Sequence, residues 1–317
     1  MGDLVSVIMS TYNEEPEWLK KCIDSILNQT YNHFEFLIVL DNPENEQLKL
    51  LLDDYQKKDS RIKIIPNPKN MGLVKSLNTA LEHCNGKYVA RMDADDISDP
   101  ERLSKEKTYL EEKNLDFVFS GMIVIDENDK KQYEWDNNAF TPEEIKKVME
   151  IWNISLHPTW FLKREVYTAL GGYRDIPYSE DYDFSLRALS NGFKIGKLNE
   201  NLLLYRMRST GISKSNNFEQ FIISRKLIQL YKKNKLDDYS YVKDEINKEQ
   251  SQLKNGEKQK YSEAEDIFHQ GVGQVKEGQY LNGISKLVKS LLLSKYHIRK
   301  FNELIKYKIL TKQMKNQ

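Results

Sequence analysis

Much of what this 317-residue sequence lacks bears directly on its function. It has no excess of either charge: 48 basic side chains stand against 48 acidic ones, and the formal net charge is zero. A nucleic-acid binder presents a basic surface, so the balance excludes a chain devoted to nucleic acid and leaves only local basic patches. Cysteine is scarce, with Cys22 and Cys84 alone, no CxxC pair and no histidine cluster nearby. That argues against a disulfide framework and for free thiols in a reducing compartment. Cys22 itself falls in an apolar helical stripe and reads as core. No apolar run reaches the roughly 18 residues a membrane-spanning helix needs. The chain opens Met-Gly-Asp-Leu and enters a strand at once, leaving no room for a signal peptide, so the expected compartment is the cytoplasm.

What is present suffices for a sizeable core: 39% hydrophobic and 11% aromatic residues, on a length that allows two domains. The first half alternates strand-like and helix-like segments. Leu4–Met9 is a β-rich run, and Phe34–Leu40 (FEFLIVL) is nearly unbroken, as in a strand covered on both faces. Shorter strands follow at Ile62–Ile65 and Tyr88–Met92. Between them, helical spacing marks residues 17–28, a stretch around Leu48–Tyr55, and Gly72–His83. This βαβαβαβ order predicts an α/β fold with a mainly parallel sheet, helices on both faces, and ligands beyond the carboxyl ends of the strands. Further on, the pattern predicts a helix over Pro100–Lys113 and a strand over Phe117–Ile125. Thr141-Pro142-Glu143-Glu144 reads as a capped helix start, Glu180–Ser190 as a helix, and Leu202–Met207 as a strand.

The chemistry concentrates at strand ends. Arg91-Met92-Asp93-Ala94-Asp95-Asp96 follows the fourth strand. Carboxylates one residue apart can aim at one divalent cation, which prefers oxygen ligands and can neutralise a diphosphate leaving group. The competing reading is an Asp-rich turn; the position at the carboxyl end of a parallel strand favours the cation. Thr11-Tyr12-Asn13 follows the first strand, Asp41-Asn42 the second, and Asn70-Met71-Gly72 precedes the helix after the third. Each is an ordinary set of turn residues, but their recurrence in order at one sheet edge is not. Tyr178-Ser179-Glu180-Asp181-Tyr182-Asp183 opens a helix. Acidic residues there favour the helix dipole, a reading that suits Glu180 and Asp183. Asp181 is positioned to serve as a general base.

The run from TYN through LDN, NMG and MDADD to SEDYD resembles the family 2 inverting glycosyltransferases of GT-A fold, over roughly residues 4 to 210. The resemblance implies that Thr11, Tyr12, Asn13, Asp41, Asn70 and Gly72 hold the nucleotide of a nucleotide-sugar donor, with Lys75 a further contact. It implies that Asp93 and Asp95 form the DXD motif, with Asp95 on the metal (Mn²⁺ or Mg²⁺) and Asp93 on metal or ribose. Asp181 is then the catalytic base and Glu180 its acceptor-side neighbour. The donor implied is UDP-linked, with a thymidine-linked sugar as the alternative. The acceptor expected is a glycan or lipid-linked chain in bacterial polysaccharide synthesis. Departures are visible: Asp41-Asn42-Pro43-Glu44 replaces the commoner Asp-Asp-Gly-Ser, and Arg208 stands where histidine is frequent, either as a cation for the diphosphate or as a surface residue. The Gln-x-x-Arg-Trp motif and membrane helices of processive synthases are missing, which implies transfer of a single sugar. His157, upstream of Gly171-Gly172-Tyr173-Arg174, is an acceptor-side candidate; Trp152 and Trp160 read as core or acceptor platform.

The pattern divides the chain into a catalytic domain at 1–215 (nucleotide-binding over 1–98, acceptor-binding over 99–215) and a helical region at 216–317. Within the latter, 232–260 is a polar linker or solvated helix. Ala264, Phe268, Gly271, Gly278, Tyr280, Ile284 and Leu287 have the spacing of one tetratricopeptide-like hairpin. Residues 284–317 carry Lys286, Lys289, Lys295, Arg299, Lys300, Lys306, Lys308, Lys312 and Lys315 against Glu303 alone, interleaved with aliphatics. That segment reads either as a cap on the catalytic domain or as a contact with an anionic membrane. A nucleotidyltransferase is the rival enzyme class, but it would carry a glycine-rich basic loop where TYNEEP stands. A scaffold with a decayed transferase domain is the non-catalytic rival, and the retained Asp95 and Asp181 argue against it.

Overall fold

A computed structural model of the chain describes residues 2–135, 138–208, 216–254 and 256–315. The first half alternates as expected: β1 (Val5–Thr11), α1 (Pro16–Leu27), β2 (Phe34–Leu40), α2 (Glu46–Lys58), β3 (Ile62–Pro66), α3 (Leu73–Glu82) and β4 (Tyr88–Asp93). Then come β5 (Ile97–Ser98), α4 (Arg102–Glu112), β6 (Phe117–Ile125), β7 (Lys131–Glu134), α5 (Pro142–Met149), a 3₁₀ turn (His157–Thr159), β8 (Phe161–Lys163), α6 (Arg164–Leu170), α7 (Glu180–Ser190) and β9 (Ile195–Arg206). Among the described residues these strands form one nine-stranded sheet, in the order β3-β2-β1-β4-β8-β6-β9-β5 with β7 on β6.

β1 pairs in parallel with β2 and β4, and β2 with β3, while β8 runs antiparallel between β4 and β6. The chain therefore winds outward from β1 to β3 and returns to start β4 on the other side of β1. That reversal opens a crevice at the carboxyl ends of β1 and β4, where ligands of such sheets bind. Residues 11–13 and 93–96 both lie there, because Ser10 is in register with Asp93.

The burial pattern explains the sheet. All seven residues of β2 are buried. In β4, Tyr88, Ala90 and Met92 join a core cluster with Val5, Val7 and Met9 of β1 and Leu19, Cys22, Ile23 and Ile26 of α1. Strand periodicity then sends Val89, Arg91 and Asp93 to the opposite face. At α5 the expected capping box is formed: the Thr141 N–H donates to the Glu144 carboxylate (2.8 Å), and the Glu144 N–H donates to the Thr141 hydroxyl (3.3 Å).

Contacts group the chain into two compact units, one of Met1–Lys146, Ser155–Ile176 and Glu180–Gly211, the other of Lys147–Ile154, Pro177–Ser179 and Ile212–Gln317. The second unit holds α8 (Asn217–Lys232), α9 (Tyr239–Ser251), α10 (Glu257–Lys276), α11 (Tyr280–Leu293) and α12 (Lys295–Lys315). Phe218, Phe221, Ile222, Tyr261 and Tyr296 cluster at its centre. The polar 232–260 stretch contains α9, which buries Val242 and Ile246. α10 and α11 form a hairpin around Gly278 (φ 82°), and their backbones nearly touch where a Cβ on Gly283 would lie 2.8 Å from the Gly271 carbonyl oxygen. The basic tail is two helices that meet at an extended Ser294. Among the described residues, no helix is long and apolar enough to cross a membrane.

Candidate active site

The loop after β1 is pinned by Glu14, a residue the sequence motifs did not single out. Its carboxylate accepts the Thr11 hydroxyl (2.6 Å) and the Tyr12 N–H (2.7 Å). Thr11 is thereby buried, while the Tyr12 ring stays 41% exposed. The Asn13 side-chain oxygen accepts from Asn42 (2.7 Å) and Asn45 (3.1 Å), which joins this loop to the one after β2. Asn45 also caps α2 by accepting from the Leu48 N–H.

Asp41 is the hub of the next loop. Its Oδ1 accepts from the Asn67 side chain (2.7 Å) and the Met71 N–H (2.7 Å), and its Oδ2 accepts from the Gly72 N–H (2.9 Å). Gly72 also donates to Asn70 Oδ1, and its φ of +82° is one that a side chain would strain. Asn70 and Lys75 stand exposed on the solvent side of this loop and of the first turn of α3.

The acidic turn after β4 is held by arginines. Arg91 and Asp93 are neighbours on one face of β4, two residues apart, and form an ion pair. Arg91 is 1% exposed, and its Nε has no hydrogen-bond partner among the described residues. Arg206, also buried, donates from its backbone N–H to Asp96 Oδ1 (2.8 Å) and from Nε to the Asp95 carbonyl (2.9 Å), with its guanidinium over the Trp18 ring. The half-exposed Arg208 reaches Asp95 Oδ2 from Nε (2.8 Å). Beneath the turn, the Cys22 thiol donates to the Asp93 carbonyl (3.2 Å), and burial pushes that thiol well above its ordinary pKa. Burial, then the neighbouring Asp93 charge, raises both Asp95 and Asp96, and Arg208 draws Asp95 the other way.

Among the described residues, no cluster of three or more His, Cys, Asp or Glu groups makes a complete protein cage for a metal. The donor set fits a different kind of site. Mg²⁺-like ions are held by one or two carboxylates together with substrate phosphates and water. Asp93 and Asp95 supply such carboxylates, and the buried Asp96 Oδ2 beside them lacks a partner among the described residues.

α7 begins within electrostatic reach of this turn. Burial first, then the charge of Asp181, raises the Glu180 pKa, while Arg91 lowers it and Asp93 adds to the rise. Asp181 Oδ1 accepts the Tyr182 N–H (2.7 Å). Asp183, read from sequence as a helix-dipole residue, is fully buried and bridges two arginines: Arg174 grips both its oxygens, and Arg187 Nε donates to Oδ2 (2.8 Å). Arg187 also donates to the carbonyls of Leu170 and Gly172, which fastens the 170–174 loop to the helix.

His157 lies in a buried aromatic wall. Its Nε2 is 2.8 Å from the Tyr173 hydroxyl, and Trp160 stacks on Tyr173. Burial, then the Arg91 charge, hold its pKa well below the ordinary value, so the ring is neutral. Trp160 has no exposed surface and is core. The structure thus joins Thr11, Asn13, Asp41 and Gly72 through hydrogen-bonded loops, and gathers Asp93, Asp95, Arg208 and Glu180 electrostatically. Glu14, Asn45 and Asn67 support them without having been singled out, as do Arg91 and Arg206, which the motifs contain without a role of their own.

Residues 6–171 match the model of glycosyl transferase family 2. Over 229 residues the chain is 39% identical to an uncharacterized glycosyltransferase of Methanocaldococcus jannaschii, covering 72% of this chain and 77% of that protein. It is 33% identical to the amylovoran biosynthesis glycosyltransferase AmsE of Erwinia amylovora (72% and 85% covered) and 34% to the O-antigen biosynthesis glycosyltransferase WbnJ of Escherichia coli (67% and 83%). Among solved structures, S. aureus TarS 1–349 in complex with UDP is similar, with a TM-score of 0.58 at 16% identity over 98% of this chain and 91% of that one. A TarS complex with UDP-GlcNAc has the same TM-score at 17% identity.

Proposed function

The chain belongs to glycosyl transferase family 2 and is a glycosyltransferase of GT-A fold, and from that premise we propose that it transfers one sugar, with inversion, from a UDP-linked donor to a hydroxyl of a glycan or lipid-linked acceptor. The observation that carries the reading is the acidic turn Asp93–Asp96 at the β1/β4 switch point, gripped by Arg91, Arg206 and Arg208 and faced by Glu180 at the start of α7.

The loops of Thr11–Asn13, Asp41 and Asn70–Gly72 receive the nucleotide. The exposed Tyr12 ring stacks on the base, and Asp41 Oδ2 accepts its N–H. Lys75 and Arg208 meet the diphosphate as fixed cations. Asp93 and Asp95 would hold Mn²⁺ or Mg²⁺, which supplies charge neutralisation for the departing diphosphate. Asp181 takes the acceptor proton as that oxygen attacks the anomeric carbon, a contribution of about 10²–10⁴-fold for general bases. Glu180 and the wall containing His157 border the acceptor. UDP is favoured because the solved relatives carry UDP and UDP-GlcNAc. A surface-polysaccharide acceptor is favoured because curated relatives act in amylovoran and O-antigen synthesis. The reaction then takes place in the cytoplasm, at the inner face of the cell membrane, with residues 1–215 as its catalytic domain.

Screening nucleotide sugars by thermal shift with Mn²⁺ tests the proposal. A UDP-sugar should stabilise the protein only when the metal is present, and the same mixture should show slow donor hydrolysis. A protein stabilised by no nucleotide sugar, or one that hydrolyses none, contradicts it.

A further inference from the structure

The lysine-rich end of the chain has an apolar face that nothing in the described structure covers. On α11, Leu281 (88% exposed), Ile284, Val288 and Leu292 (81%) recur at helical spacing. Gly283 and Ser290, on the opposite side of the same helix, are the buried positions, with Gly283 against α10. The exposed row therefore lies on the side of α11 away from its buried positions, and packing among the described residues does not account for it. On α12, Ile298, Ile305 and Ile309 form a second exposed row.

The charges around these rows are of one sign. From Tyr280 to Lys315 the acidic side chain is Glu303, and it is turned inward onto Arg225 (2.7 Å). Some of the basic residues are used internally: Lys295 pairs with Glu257, and Lys300 with Glu265. Lys289, Arg299, Lys306, Lys308 and Lys312 remain on the two helices beside the aliphatic rows. A second copy of this face would set lysine against lysine, so self-pairing is electrostatically opposed. A surface that is apolar within and anionic at its boundary suits both features.

We propose that α11 and α12 dock the protein on an anionic bilayer, with Leu281, Ile284, Val288 and Leu292 entering the headgroup–acyl boundary and the lysines meeting acidic headgroups. This deepens the membrane-side placement of the transferase reading and rests on it only for its purpose. The face is a property of the helical unit by itself. Each basic residue near such a surface strengthens binding by about fivefold at modest salt, so the interaction must weaken steeply as salt rises.

The test is flotation of the full chain with phosphatidylcholine vesicles, with and without an equal share of phosphatidylglycerol, at 0.05 M and 0.5 M salt. The expected result is binding to the anionic vesicles at least tenfold tighter than to the neutral ones, and largely lost at high salt. The double variant L281E/L292E, altered at exposed positions, should lose at least tenfold in partitioning with its melting temperature and UDP affinity unchanged. Equal binding to both vesicle types, or no binding to either, overturns the proposal. So does a concentration-dependent dimer, seen by analytical ultracentrifugation, that L281E/L292E abolishes. None of these results bears on donor hydrolysis in vesicle-free solution, which tests the transferase reading separately.

Discussion

Replacing Asp183 by alanine should unfold the protein more readily than its place in the first turn of a helix would suggest. A carboxylate in the first turn of an exposed helix gains about 0.3–1 kcal/mol from the dipole. Asp183 is instead fully buried, with Arg174 bidentate on its oxygens and Arg187 donating at 2.8 Å. Asp183→Ala would leave both guanidinium groups without their anion. Removing one partner of a buried pair costs about 3–5 kcal/mol because the remaining charge is uncompensated. At about 2–4 °C per kcal/mol for a domain of this size, the variant should melt roughly 6–20 °C lower. Asp183→Asn, which keeps an acceptor but loses the charge, should fall between it and the wild type. The assay is thermal unfolding followed by near-UV circular dichroism, with urea titration as a check. A loss under about 1 kcal/mol for Asp183→Ala would return the residue to the dipole role and refute the clamp.

Other consequences follow from the same reasoning. Burial alone would raise the Glu35 pKa, but hydrogen bonds from Lys63, the Asn85 N–H, Ser6 and the Asn85 side chain overcome it and hold the carboxyl down to about 2. Because the folded value lies below the unfolded one, its stabilisation is complete above about pH 4.5 and is lost as pH falls toward 2; with the Lys63 end exposed, roughly 2–3 kcal/mol is involved. Glu35→Gln should therefore cost clearly more stability at pH 7 than at pH 2.5, and a constant cost across urea titrations at both would contradict this. In the α10–α11 hairpin, a Cβ on Gly273 would meet nothing within 4 Å, whereas one on Gly283 would meet Val275 Cγ2 at 2.6 Å. Gly273→Ala should stabilise by up to about 1 kcal/mol, and Gly283→Ala should destabilise despite the same propensity gain, by about 1–3 kcal/mol. Equal shifts in melting temperature would show that the helices do not approach as described. Asp41→Ala removes the acceptor of Asn67, Met71 and Gly72, so UDP affinity by calorimetry should drop at least tenfold with the core intact.

The sheet was legible wherever burial writes itself into hydrophobic pattern. The nearly unbroken apolar run of β2 and the bounds of β6 and α7 were read directly, because β2 and β6 are buried along almost their whole length and α7 from Tyr182 to Leu189. β9 was read only from Leu202, since its first half includes a glycine, a buried Lys197 and exposed Asn199 and Glu200, and pairs with β6 across register shifts. β5 and β8 are two and three residues long and are strands only because neighbours offer hydrogen bonds. At the site, motif residues could be named, but their supports could not. Arg91 sits in an otherwise apolar strand, and that interruption was the available signal that a buried charge faces the acidic turn. Asn67 left no such mark, because its role depends on loops that meet only in three dimensions, and Glu14 acts inside its own loop, where an acidic residue is ordinary.

The proposed mechanism stands most directly on Asp181 as the proton acceptor. Metal-dependent turnover of a UDP-sugar should be measured for the wild type and Asp181→Asn, together with UDP affinity in the presence of Mn²⁺. With Asp181 as the base, turnover falls by about 10²–10⁴-fold while UDP affinity changes only a few-fold. Near-normal turnover in the variant would contradict it.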